Sequence, residues 1–206
     1  MTRTLTSKGA QTLSRIVAGA AAEIREHGVD EVRLEDVMAR TRTSKSQLFH
    51  YFPGGKEELL LAVAQYEADR VLDDQQPMLG ELTSWPAWEQ WRDRLIVRYR
   101  EQGTQCPLHI LLGHVGRRTP AAQAVVTGLM HRWQAAIATG IRSMQASGDV
   151  AAAVDADRTA AALLAGIQGG VLLLLATGRT DHLEAALDLA IDALRGPTGD
   201  PPATGR

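Results

Sequence analysis

Apolar residues recur every three or four positions along nearly the whole chain, and the period-two alternation of strands is almost absent. The pattern predicts an all-α protein. A first helix is expected from Thr6 or Ser7 to His27-Gly28, with Leu13, Ile16, Val17, Ala20 and Ile24 as its buried stripe and Gly28 as a left-handed stop. Two short helices follow. Leu34, Val37 and Met38 form the inward face of one, and Leu48, Phe49 and Phe52 that of the other. Ser44 and Gln47 have the spacing of a capping box, which starts the second of them at Ser44. Pro53-Gly54-Gly55 ends it, and Leu59, Leu60, Val63 and Tyr66 line a further helix running to about Leu72.

The stretch 73–84 is polar, contains Pro77 and Gly80, and reads as a loop. Pro86 suits the first turn of a helix continuing to Gln102 or Gly103, with Trp88, Trp91, Leu95 and Tyr99 along one face. A short helix carrying Leu108, Ile110, Leu111 and Leu112 is expected after Cys106-Pro107. Thr119-Pro120 opens a longer one that stops at Ser147-Gly148. Asp155 caps the next, to Thr177-Gly178, and Thr180 or Asp181 the last, to Arg195-Gly196. Residues 196–206 have too little apolar surface to fold and read as a disordered tail.

Charge alters this picture only in its distribution. The 206 residues carry 22 basic and 24 acidic side chains, net −2. Nine basic and six acidic residues fall in 1–56, which leaves thirteen and eighteen after it. A mildly basic head on an acidic body suits DNA. The lone Cys106 excludes an internal disulfide and a cysteine-based zinc site, and fits a reducing cytoplasm. No secretion signal is visible, and the apolar run 160–176 is broken by Gly166, Gln168, Gly169 and Gly170, so it reads as a buried helix with no membrane role. The six histidines lack metal-ligand spacing and no catalytic constellation emerges, so neither a cofactor nor an enzyme is expected.

The helix from Ser44 keeps Lys45, Ser46, Gln47, His50 and Tyr51 for its outer face, a set suited to phosphates and base edges. Two short helices around a tight turn with that outer face are the pattern of a helix-turn-helix. The order Ser, small residue, Leu, aromatic, Tyr-Phe, Lys-Glu in TSKSQLFHYFPGGKEEL resembles the signature of the TetR family of bacterial transcriptional regulators, and the likeness extends from Ser7 to about Val63. The turns at 53–56 and 106–108 are similar to the subgroup typified by LmrA and YxaF, some members of which respond to flavonoids. The chain departs from the family pattern at Arg42 and Ser46, where glycine is usual, and at Arg33, where a capping Thr is usual.

The resemblance implies a DNA-binding domain over 1–55 and an effector-binding and dimerisation domain over 56–195. Base-edge contacts would come from Lys45, Ser46, Gln47 and His50 on the helix capped by Ser44, and phosphate contacts from Ser7, Arg33, Arg42, Tyr51 and Lys56. Phe49 and Phe52 are expected in the core. An aromatic-lined pocket for an apolar or planar effector is drawn through Trp88, Trp91, Leu95, Tyr99, His109, Leu112, Trp133, Ile137 and Gln168. Ala162, Gly166 and Gly170, with Leu183, Leu187 and Leu194, look like half of a four-helix dimer interface, close packing within one chain being the other reading. The expected function is a cytoplasmic homodimeric repressor that binds a palindromic operator in double-stranded DNA and is released by a small molecule. An α-helical enzyme or carrier, or a DNA-binding regulator without a ligand, is the alternative.

Overall fold

The computed structural model describes residues 6–103 and 119–196. These form eight α-helices and one 3-10 turn: α1 Ser7–His27, α2 Leu34–Thr41, α3 Lys45–Tyr51, α4 Lys56–Asp73, the turn Met78–Gly80, α5 Trp85–Gln102, α6 Pro120–Ser147, α7 Ala156–Thr177 and α8 Asp181–Arg195. No strand occurs among the described residues. The short helix expected after Cys106-Pro107, the pocket candidates His109 and Leu112, and the tail 197–206 lie outside the described residues.

The helix starts follow local chemistry, because an N-terminal turn leaves backbone N–H groups that a nearby side-chain oxygen must accept. Thr6 Oγ1 accepts from the Gly9 N–H at 3.2 Å, Thr119 Oγ1 from Ala122 at 3.1 Å, and Asp155 Oδ1 from Arg158 at 3.0 Å. Gly28 ends α1 with φ 84°, and Gly178 ends α7 in the left-handed region. Thr180 precedes α8 without capping it, and its hydroxyl donates instead to Glu184 Oε1 at 2.6 Å.

The chain divides into two compact units. Among the described residues the first comprises 6–71 with 119–129 and the second 72–103 with 130–196, so α4 and α6 each contribute to both. In the first unit Ile16, Ala20 and Ile24 of α1, Val37 of α2, Leu48 and Phe52 around α3, and Leu59 and Val63 of α4 are buried. Arginine–carboxylate pairs tie its helices together. Arg40 of α2 donates to Glu23 and Glu26 of α1, and Arg25 of α1 donates to Glu67 of α4, which is completely buried. A buried carboxylate is retained at acceptable cost only when so paired.

The second unit is built on aromatics. Trp88, Trp91, Leu95 and Tyr99 of α5, Trp133 and Ile137 of α6, and Leu183, Leu187 and Leu194 of α8 are all buried. Trp88 and Trp91 meet edge to face at 5.8 Å, and Trp91 donates its indole N–H to Gln75 Oε1 at 3.1 Å. The α5 and α8 edges are joined by Arg92 gripping Asp188 with two bonds of 2.8 and 2.9 Å, by Arg100 on Glu184, and by Arg195 on Glu89. The helix α7 is long and apolar enough to cross a membrane by length and composition, yet one face of it is the core of this unit.

The small residues of α7 have a use inside the chain. A Cβ placed on Gly170 would stand 2.6 Å from Leu183 Cα, and one on Gly166 would stand 3.2 Å from Ala186 Cβ. Gly170 thus lets α8 lie directly on α7. Gly166, Gly170 and Leu183 take part in this intrachain contact, Leu187 and Leu194 of α8 are buried, and Ala162 is exposed.

Candidate nucleic-acid interface

The turn between α2 and α3 is set by two threonines. Thr41 is buried, and its hydroxyl donates to the Val37 carbonyl at 2.7 Å while lying 2.9 Å from Thr43 Oγ1. The chain then reverses through Arg42, whose φ of 49° and ψ of 47° are left-handed, and the Thr43 N–H donates back to Met38 O at 3.0 Å. This is how many helices end, although glycine usually occupies the left-handed position. For a non-glycine residue the conformation costs ~1–2 kcal/mol. The turn keeps the usual geometry with Arg42 in it, and the guanidinium stays on the exposed outer side.

Ser44 then opens α3. Its Oγ accepts from the Gln47 N–H at 3.2 Å, and Gln47 Oε1 accepts from the Ser44 N–H at 3.1 Å, completing the capping box. This bond also limits what Gln47 offers. Its carbonyl is engaged in the cap, and its amide nitrogen is the group left to donate outward. Pairing with adenine in bidentate fashion requires both.

The helix is seven residues long, and Leu48 and Phe52, four apart, point into the core. Lys45, Ser46, Gln47 and His50 are exposed, and Tyr51 is half-buried with its ring edge-on to His50 at 5.1 Å. Phe49 corrects the sequence expectation. It is 39% exposed, because Leu48 and Phe52 take the inward line of so short a helix and Phe49 lies about 100° away from Leu48. Its ring edge lies beside the Gly54-Gly55 turn, 3.8 Å from where a Gly55 Cβ would be.

Ser7 and Arg33 are exposed at the starts of α1 and α2. Arg33 has no acceptor with which to cap α2. Asp36 supplies the other half of a cap, its Oδ2 accepting the Arg33 N–H at 3.3 Å. Lys56 is partly committed, since its Nζ donates to Val32 O at 2.6 Å and ties the start of α4 to the residues before α2. Two further ammonium protons remain for a phosphate.

Two features were not read from sequence. Arg40 bridges α2 to α1, and the bonds to Glu23 first and Glu26 second raise its pKa above the ordinary value. A cleft of about 740 Å³ opens at the same place, lined by residues that include Glu23, His27, Arg33, Asp36 and Arg40. The three-residue spacing of Glu23 and Glu26 was a signal, but it looks the same as a solvated helix face until α2 is laid across it.

An exposed helix with donors outward, anchored by its apolar side to a small helical unit behind a tight turn, defines a helix-turn-helix DNA-binding head. Comparison with known proteins agrees. Residues 16–63 match the model described as bacterial regulatory proteins, tetR family, and residues 87–190 match that of the tetracyclin repressor-like C-terminal domain. The chain belongs to the TetR family of transcriptional regulators, which are not enzymes.

The chain is 26% identical over 179 residues to the transcriptional regulator AcuR of Cereibacter sphaeroides, covering 82% of this chain and 79% of that one. It is 32% identical over 88 residues to an uncharacterised HTH-type transcriptional regulator of Mycobacterium tuberculosis, a match spanning 43% of this chain and only 42% of that protein's length. Among solved structures, a TetR-family regulator from Mesorhizobium loti superposes with TM-score 0.77 at 18% identity, over 92% of this chain and 97% of that one. SmeT in complex with triclosan superposes with TM-score 0.71 at 19% identity, over 95% and 98%. At such identities the likeness is one of fold.

Proposed function

We propose that this protein is a homodimeric cytoplasmic repressor that reads a palindromic operator with α3 and is released by a small apolar or aromatic effector held in the second unit. The observation that carries the DNA reading is the outer face of α3: Lys45, Ser46, Gln47 and His50 are exposed while Leu48 and Phe52 hold the helix in place. Lys45 and the Gln47 amide are donors, matched to guanine O6 and N7 or to adenine N7. Arg33, Arg42, Tyr51, Lys56 and the N-terminal turn at Ser7 serve the phosphates.

The dimer reading rests on the face that α7 and α8 leave open. Ala162, Ala165, Gly169 and Leu172 recur at helical spacing on the outside of α7, and Ala185 and Leu189 do so on α8. Leu172 is 67% and Leu189 71% exposed, which is unusual for large aliphatic side chains on adjacent helices. A second copy related by a two-fold axis covers both faces as a four-helix bundle. A membrane is a poorer partner, because α8 carries Asp188 and Asp192 exposed beside Leu189. The two-fold sets two α3 helices over half-sites ~34–36 Å apart or a multiple of that.

The buried aromatic interior of the second unit supports the effector reading, and SmeT, of the same fold, has been solved with triclosan bound. Effector binding is read out through α4, which begins in the first unit and ends in the second. The effector need only bind the DNA-free state more tightly. Selection from random double-stranded DNA with the full chain tests the proposal. A two-fold symmetric site is expected, and recovery of unrelated sequences would remove the regulator reading.

A further inference from the structure

Two indoles and one amide in the interior of the second unit are left without partners. Trp91 is satisfied by Gln75, but the indole N–H groups of Trp88 and Trp133, both fully buried, have no hydrogen-bond acceptor. Neither atom of the Gln168 amide has a partner, and both are shielded from solvent. Native chains satisfy nearly all buried polar atoms, so three unsatisfied side chains in one core point to something the chain alone does not supply.

Gln168 is the most specific of the three, because it presents a donor and an acceptor side by side. Its neighbours Leu164, Ile167 and Val171 are buried aliphatics, so the amide stands in an otherwise apolar surface.

We propose that Gln168 anchors an effector in the interior of the second unit, the unit in which the Trp88 and Trp133 indole N–H groups are also left without acceptors. The effector class is a neutral, flat, largely apolar molecule with a hydrogen-bond donor and acceptor adjacent, as in a lactam or a primary amide. This deepens the effector reading above and rests on it. A permanent ion is excluded from the class, because Gln168 and its aliphatic neighbours offer no charge to pair with it.

The test uses the full chain and three probes of similar shape: 2-quinolone, which has donor and acceptor; N-methyl-2-quinolone, which has lost the donor; and naphthalene, which has neither. Binding is followed by tryptophan fluorescence and by the shift in melting temperature. Saturable binding of 2-quinolone is expected, about tenfold tighter than either control. Gln168→Leu, which fills similar volume and removes the unpaired amide, is expected to fold, to melt no lower than the parent, and to bind all three probes within about threefold of one another. Equal binding of naphthalene and 2-quinolone by the parent would overturn the Gln168 anchor while keeping an effector cavity. The anchor also fails if Gln168→Leu keeps the parent's preference, or if none of the probes binds, which would make the amide a water site. Binding to the selected operator, measured in parallel, shows whether the regulator reading stands when the anchor fails.

Discussion

Three glycines within one turn and a half of α7 face three different surroundings, and replacing each with alanine gives a graded test of how α7 and α8 pack. In a helix interior alanine is favoured over glycine by ~1 kcal/mol. At Gly169 an added Cβ meets nothing within 4 Å, so the full gain is expected in the protomer. At Gly166 the new methyl stands 3.2 Å from Ala186 Cβ, and an adjustment of a few tenths of an ångström about cancels the gain. At Gly170 it stands 2.6 Å from Leu183 Cα and 3.0 Å from Leu183 N, which are backbone atoms that no rotamer change can move. Ordinary carbon contacts lie at ~3.5–4.0 Å, so α8 must back away by about 1 Å beside the fully buried Leu183 and Leu187. Overpacking of this kind costs ~1–3 kcal/mol, and releasing Leu183 instead costs ~1.5–3 kcal/mol. Net of the helix gain, Gly170→Ala should destabilise by up to about 2 kcal/mol, a fall in Tm of up to roughly 8 °C for a chain of this size. Thermal melts followed by far-ultraviolet circular dichroism at two protein concentrations give the ranking and separate packing within the chain from effects on the outer face of α7. Gly170→Ala melting as high as Gly169→Ala would refute the packing.

Other outcomes are as definite. Arg42→Gly relieves a left-handed strain of ~1–2 kcal/mol and adds ~0.5–1 kcal/mol of chain entropy, so it should raise stability slightly while lowering the slope of log affinity against log salt by about 0.9. A fall in Tm would contradict the strain. Leu172→Asp with Leu189→Asp places charges on the open face of α7 and α8, and sedimentation should then report a monomer where the parent is a dimer. An unchanged dimer would put the interface elsewhere. The bond from Arg179, and then the Asp181 backbone N–H, hold the Asp181 carboxyl below its ordinary pKa. Its contribution to stability is therefore present above the unfolded value and lost as pH falls through the lowered one. In an NMR titration Arg179→Ala should return Asp181 toward the ordinary carboxylate range.

The parts of the fold legible in sequence were those fixed by neighbours in the chain. Thr6, Ser44, Thr119 and Asp155 cap helices because a side-chain oxygen three residues from a free N–H needs no tertiary context. Arg42 was marked as standing where glycine is usual, and it does take the left-handed conformation. Phe49 was misread because seven residues give too few apolar positions to fix the phase of α3. The Arg25–Glu67 and Lys56–Val32 bonds join residues 42 and 24 apart, and no local pattern distinguishes them from solvated charges. Even the capping box was read only in part. The sequence indicates that Gln47 caps Ser44, but the cost to its reading of adenine appears only when the carbonyl is seen engaged.

The central claim is that α3 reads sequence from its outer face while the flanking cations bind any duplex. The direct measurement is fluorescence anisotropy of the parent and of Lys45→Ala/Gln47→Ala on the selected operator and on a scrambled duplex of equal length. Each lost base contact is worth ~1–3 kcal/mol, so the double variant should lose roughly thirtyfold or more of its preference for the operator while its affinity for the scrambled duplex falls far less. An undiminished ratio between the two duplexes would contradict the account.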